Sequence, residues 1–287
     1  MKIVTDCAAD LTKSDIESLD IHVAPLFIQF PDGEVNSSEI TPDDFYERLQ
    51  KISPRIPTTS QPSAGIFTHM YEKLVEIGED VISIHISSGL SGTIESARTG
   101  AAQVPGKLVE IVDSLSLSGG ERFQVLAAAL GAKAGKSKEF ILEKLSKIRE
   151  ATEVIYTLET LEYLQRGGRI GRVQALAGAL LHIKPIIHVE RSDGKYSTIG
   201  KERTIPKALD AITDHVAELY GRGTPLWVSV LHGKLEEQAN TLAEMVQERV
   251  NVGKLEILRI SPVLGVHTGP GIVGLAAVPI HLMEGMD

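Results

Sequence analysis

The sequence predicts an α/β protein with a mostly parallel sheet in an N-terminal half (1–150) and a mixed or antiparallel sheet with helices in a C-terminal half (151–287). Three observations lead there. Strand-like and helix-like segments alternate through the first half, the pattern of a parallel sheet with helices on its faces. The second half mixes hairpin signals with long connections, which favours antiparallel pairing. At 287 residues, 43% of them hydrophobic, the chain can build one large or two closely packed cores. No Pro/Gly/Ser-rich linker marks the boundary near residue 150, and no internal repeat or low-complexity segment is present.

In order along the chain, the apolar run Met1–Val4, closed by Thr5 and Asp6, predicts a first strand. Residues 21–30 predict a second, and Pro31-Asp32-Gly33 a turn, so that 25–38 forms a hairpin. Thr41 followed by Pro42 reads as a helix N-cap and first helical position. A helix over 64–77, a strand over 81–88, a helix over 91–104 and a strand over 108–114 follow, then helices over 118–134 and 138–150. The second half opens with a strand, a short helix and a glycine- and arginine-rich elbow over 153–172. The apolar stretch 173–181 reads as helical, and Ser192-Asp193-Gly194 as the turn of a hairpin. Helices over 205–220 and 234–250, and strands over 226–231, 255–260 and 273–279, complete the chain.

Charge and composition narrow the function. A formal net charge of −9 argues against a broad attraction to nucleic acid, although it leaves room for a local basic cluster. The single cysteine, Cys7, makes neither an intrachain disulfide nor a multi-cysteine metal site. The sequence shows no charged-then-apolar leader and no apolar run approaching about 18 residues, so a cytoplasmic protein is expected. The Asn36-Ser37-Ser38 sequon then has no role.

The catalytic motifs fail on spacing. Gly89-Leu90-Ser91-Gly92-Thr93 puts its second glycine one position early for a nucleophile elbow. Gly269 to Gly274 matches G-x-G-x-x-G by letter, but only 13 residues follow it, too few for the helix and acidic residue of a dinucleotide site. "RGGRIGR" lacks the Gly-Lys-Ser/Thr ending of a P-loop, and no HExxH or paired-cysteine spacing supports a metal. What survives is a set of hydroxyl residues on two glycine- or proline-containing turns. "TTSQPSAG" offers Thr58, Thr59, Ser60 and Ser63, and "SSGLSGT" offers Ser87, Ser88, Ser91 and Thr93 at the carboxyl end of a strand. Each hydroxyl alone reads equally as capping or turn chemistry. Together they suit an anion held at the ligand-binding edge of an α/β sheet. The apolar residues of "IFTHMYEKLVEI" and "ALAGALLHIKPII" are expected to be mostly core, while the Gly and Ala among them can leave room for an acyl chain.

Seven segments, "KIVTDCAADLT", "PTTSQPSAGIF", "ISSGLSGTIESA", "IVDSLSLSGG", "TLEYLQRGGRIGR", "LLHIKPII" and "HTGPGIVG", occur in order across nearly the whole chain. In this series the sequence resembles the DegV family of bacterial lipid-binding proteins. The resemblance implies two α/β domains with a long-chain fatty acid between them and no other cofactor. It also implies that the protein is not itself an enzyme. It would be the binding subunit of a fatty acid kinase, presenting the acyl carboxylate to a separate catalytic subunit for ATP-dependent conversion to acyl phosphate, with transient membrane contact. Carried onto this sequence, the carboxylate ligands are Thr59 and Ser91, with His267 beside the head group. Arg172 and Arg203 match basic positions for docking the kinase or sensing the ligand, and Asp6 would organise the inter-domain entrance. Cys7 departs from the family's usual serine. The competing reading is a serine-dependent hydrolase or acyltransferase using Ser91 with His267. A lipid carrier that must release its carboxylate is expected to hold it with neutral donors, not a bidentate arginine.

Overall fold

The computed structural model describes residues 1–286 apart from Ile77, Lys107 and 177–182. The first half runs β1 (Lys2–Asp6), α1 (Lys13–Leu19), β2 (Ile21–Ala24), β3 (Phe27–Phe30), β4 (Gly33–Asn36), α2 (Pro42–Lys51), β5 (Thr58–Ser60), α3 (Ala64–Glu76), β6 (Val81–His85), α4 (Thr93–Ala101), β7 (Val109–Asp113), α5 (Ser118–Lys133) and α6 (Lys138–Ala151). The second runs β8 (Glu153–Leu158), α7 (Glu162–Arg166), β9 (Lys184–Val189), β10 (Tyr196–Glu202), α8 (Ile205–Tyr220), β11 (Leu226–His232), α9 (Glu236–Arg249), β12 (Val252–Arg259), α10 (Pro262–Thr268) and β13 (Ile272–Pro279).

The strands form a parallel sheet, β2-β1-β6-β7, a six-stranded sheet, β10-β9-β8-β13-β11-β12, and a small antiparallel sheet, β4-β3-β5. Only β11 and β12 run parallel in the six-stranded sheet. The expected fold class therefore holds, and three local expectations change. Residues 21–30 split at Pro25, which has no N–H for a ladder, and the two pieces join different sheets. The strand from Val81 ends at His85, and the following helix starts at Thr93, so Ser87 to Gly92 is a loop. The helix expected over 173–181 lies mostly outside the described residues; Gly171–Leu176 is a 3-10 turn.

Helices α3 and α4 cover one face of the parallel sheet, where Val4, Phe67, Tyr71, Val81 and Ala97 are buried together. The other face shares one core with the inner face of the six-stranded sheet, joining Ile82, Ile84 and Phe123 to Val154, Trp227 and Ala276. α5 runs between them and is buried on nearly every side, as expected of a helix without a solvent stripe. Helices α8 and α9 cover the outer face with Leu209, Ile212 and Leu242. The two halves are also tied by polar contacts. Arg122 on α5, 2% exposed, pairs with Asp15 of α1 at 2.7 Å and Glu256 of β12 at 3.0 Å. The β9–β10 turn rests on the loop after β6, where the Ser87 hydroxyl donates to the Gly194 carbonyl at 2.9 Å. Only glycine fits at 194: its φ is +63°, and a Cβ would lie 1.9 Å from Ser87 Oγ. Among the described residues no helix is long and apolar enough to cross a membrane.

Candidate functional site

The contact of the two halves leaves a cavity of about 260 Å³. Thr59, Gln61, Ile86 and Ser91 line it from the first half, and Arg169, Tyr196, Leu264 and His267 from the second. Thr59, Ser91 and His267 thus line one cavity, although 208 positions separate the first from the last.

Each arrives on a different element. Thr59 lies on β5, paired opposite Ile28 of β3. Ser91 lies in the β6–α4 loop, and Asp6 secures that loop. The fully buried Asp6 carboxylate accepts from Ile86 N–H at 3.1 Å, pairs with His85 Nδ1 at 3.0 Å and caps Ala8 N–H at 3.0 Å. Asp6 therefore organises the loop, and it also lines the outer cleft that residues of both halves form. His267 lies in α10, which starts at Ser261-Pro262 and ends at Gly269, φ +70°.

Hydrogen bonding aims two protons into the cavity. Thr59 Oγ1 and His267 Nε2 are 2.8 Å apart, while buried His267 Nδ1 has no partner among the described residues. With the ring proton on Nδ1, that nitrogen would be an unpaired buried donor, the rarer and costlier case. The proton therefore belongs on Nε2, donated to Thr59, whose own hydroxyl proton is free for a ligand. Ser91 is backed in the same way. It accepts from Thr93 N–H at 3.3 Å and lies 2.8 Å from the hydroxyl of fully buried Thr93, whose proton has no other acceptor among the described residues. Ser91 therefore keeps its proton for the cavity. Burial first, and then the positive charge of Arg169, push His267 down to about 4, so it is neutral at pH 7.

Ser91 and His267 do not form a nucleophile–base pair: their partners are Thr93 and Thr59. The sequence reading passed over Arg169, which stands in the cavity wall and donates to the Gly167 carbonyl at 2.9 Å. Among the described residues no acidic side chain lines the cavity, and Arg169 stands in its wall, so its field favours an anion. Arg172, three residues on, is exposed and ion-paired with Asp193 in the β9–β10 turn. Arg203 is exposed just beyond the far end of β10. At about 3.3 Å per strand residue, the hairpin sets these two arginines roughly 25–30 Å apart. Cys7 faces a separate outer cleft of about 600 Å³ with Asp10 and Arg259, and burial pushes its thiol up to about 12.

Tyr196 and Leu264 also line a second, smaller cavity of about 30 Å³ in the shared core. Its walls are largely apolar: Leu117, Val154, Leu231, Ile260, Ile272 and Leu275 contribute. Of the two apolar stretches, residues 66–76 belong to α3, whose Phe67, Tyr71 and Leu74 are packed core, and much of "ALAGALLHIKPII" lies outside the described residues.

The sequence profile of the DegV family, described as uncharacterised proteins, matches residues 1–279. The chain belongs to the DegV family. A DegV domain-containing protein of Clostridium perfringens is 39% identical over 276 residues, covering 96% of each chain. Among solved structures, a DegV family protein from Thermus thermophilus described for its fatty acid binding superposes with a TM-score of 0.90. It is 32% identical and covers 97% of this chain and 99% of its own. A stearic acid-binding protein from Eubacterium ventriosum superposes at 0.88 with 26% identity, covering 97% and 98%.

Proposed function

We propose that this protein binds a long-chain fatty acid between two domains, 1–150 and 151–287, and presents its carboxylate to a separate kinase subunit. One observation carries the reading: Thr59 and Ser91, each hydroxyl backed by a hydrogen-bond partner, line one cavity with neutral His267, and two residues of its wall, Tyr196 and Leu264, also line a largely apolar cavity. DegV-family relatives that bind fatty acids support it.

The chemistry fits a carrier. A fatty acid carboxylate is already ionised at pH 7, so its oxygen attacks the γ-phosphorus of ATP without a general base. The P–O bond to ADP breaks, ADP leaves with the electron pair, and acyl phosphate forms. The carrier has only to orient the carboxylate and shield the chain. Each buried CH2 contributes about 0.8 kcal/mol, so affinity resides in the tail while two hydroxyls position the head. Arg169 adds a favourable field, but one of its nitrogens is already engaged by Gly167. Arg172 and Arg203, both exposed, are the docking or sensing positions.

Native mass spectrometry of the purified protein, followed by release and identification of any small molecule, tests the lipid reading. A bound species with the mass of a long-chain fatty acid supports it; an empty protein that also refuses added stearate overturns it. Reconstitution with a fatty acid kinase catalytic subunit and ATP tests presentation. Acyl phosphate should form with wild type and fall sharply with Ser91→Ala.

A further inference from the structure

Asp6 does not hold the wall of the head-group cavity alone. A chain of hydrogen bonds reaches it from α3 across β6. The Tyr71 hydroxyl meets Ser83 Oγ at 2.8 Å, Ser83 Oγ meets His85 Nε2 at 2.7 Å, and His85 Nδ1 meets Asp6 Oδ2 at 3.0 Å. All four side chains are fully buried, and the Phe67 ring meets the imidazole edge to face with centroids 5.0 Å apart. Ser83 and His85 are two apart on β6, so both point to the face that α3 covers. The protons of the chain run one way. The Asp6 carboxylate takes only donors: Ala8 N–H on Oδ1, and Ile86 N–H with His85 Nδ1–H on Oδ2. Nε2 then accepts from Ser83, and Ser83 accepts from Tyr71, whose phenol burial keeps protonated. Reversed, the chain would leave the buried Tyr71 proton with no acceptor among the described residues.

The residue types are those of a hydrolase triad, but the Ser83 hydroxyl is enclosed between Tyr71 and His85, where no substrate reaches it. What the chain does reach is the ligand site. Asp6 Oδ1 holds Ala8 and Oδ2 holds Ile86, two residues of the cavity wall. Ile86 leads directly to Ser87, whose carbonyl accepts from Ser91 N–H at 3.0 Å. We propose that Tyr71, Ser83 and His85 are positioning residues for the bound fatty acid: they fix the Asp6 carboxylate and, through it, where the Ser91 hydroxyl stands. The inference rests on the fatty-acid-binding reading above and names what holds that same site in place.

The test compares stearate with 1-octadecanol, which carries the same chain and no carboxylate. The readout is the ratio of the stearate Kd to the octadecanol Kd on one protein, in which changes of fold and chain burial cancel. Ser91→Ala should raise it about fivefold or more, because a hydrogen bond to a charged acceptor is worth more than one to a hydroxyl. His85→Leu, apolar and without a donor for Asp6, should raise it by most of that factor, and His85→Asn, whose amide can donate to Asp6, should bring it back. Ser91→Ala combined with His85→Leu should show no further rise, since His85 acts through Ser91. Thermal melting confirms that each variant is folded. If His85→Leu does not fold, Ser83→Ala takes its place in the same cycle, with a rise of about twofold or more expected. A wild-type ratio in the folded variant, no recovery in His85→Asn, or a rise that adds in full to that of Ser91→Ala would overturn the inference alone. A wild type that binds octadecanol as tightly as stearate would overturn the head-group reading and this inference with it.

Discussion

Thr59→Val keeps the branched shape of the side chain and removes only the hydroxyl. In the free protein the loss breaks the 2.8 Å bond to His267 Nε2 and leaves both ring nitrogens unpaired, because Nδ1 already lacks a partner. An unsatisfied buried polar group costs about 1–3 kcal/mol, which in a chain of this size lowers the melting temperature by roughly 2–6 °C. With ligand bound, the missing bond is one to a charged acceptor, worth about 1.5–3 kcal/mol, so the Kd for stearate rises about 10- to 150-fold. Binding survives, because burial of the acyl chain is untouched at about 0.8 kcal/mol per CH2. Calorimetric titration with stearate and a thermal melt give both numbers, and Thr59→Ser, which restores the hydroxyl, should recover most of the affinity. A Thr59→Val protein that melts and binds like wild type would refute both the proton assignment and the head-group role.

Three further expectations come from other parts of the structure. Gly167→Ala would place a Cβ 2.3 Å from His267 Nδ1, so the imidazole must move; stearate affinity should fall about tenfold, and an unchanged titration would show that the ring is not held there. Arg122→Met removes a buried cation and strands Asp15 and Glu256, a change that costs about 3–5 kcal/mol and should lower the calorimetric melting point by roughly 10 °C. A shift of only a degree or two would mean that the two carboxylates relax into solvent. Glu153 supplies the pH dependence. Burial opposes its ionisation, but His188, His215 and Arg191 outweigh burial and hold it at about 2 against an ordinary 4.5. A carboxyl held low in the fold contributes stability that is present above pH 4.5 and lost as pH falls towards 2, here about 3 kcal/mol. His188, raised mainly by its hydrogen bond to Glu153, adds stability below its ordinary 6.5 that is lost as pH rises through its folded value. Urea unfolding across this range should show both slopes in wild type and neither in Glu153→Gln.

Where sequence signals were strong, the fold was legible. Alternating strands and helices up to Ala151 gave the parallel sheet, and Pro31-Asp32-Gly33 and Ser192-Asp193-Gly194 sit at real hairpin turns. Thr41 and Pro42 opened α2 as expected, with Asp44 N–H donating to the Thr41 hydroxyl at 3.2 Å. Three elements escaped notice for different reasons. α1 buries no residue fully and so shows little apolar stripe, although Thr12 and Asp15 form a capping box. β5 is only three residues long, too short for alternation to register. α10 carried a readable signal in Ser261-Pro262 and Gly269 that a search for catalytic glycine motifs passed over.

Some of the site belongs to the sequence alone. Thr59, Ser91 and His267 sit in segments whose order and residue types mark the family, and hydroxyls on tight turns are local chemistry that needs no partner to be recognised. Tertiary structure decided what those residues face. It turned Arg169 into the cavity and Arg172 out to Asp193, a choice that two arginines flanking the same Ile-Gly pair do not encode locally. It built the small apolar cavity from α5, β8, β11, α10 and β13, elements up to about 160 positions apart. It also set the Tyr156 and Tyr196 rings edge to face, 40 positions apart in the chain. Periodicity reports which face of an element is apolar. Which faces then meet, and what gap they leave, depends on long-range packing of side chains hundreds of positions apart.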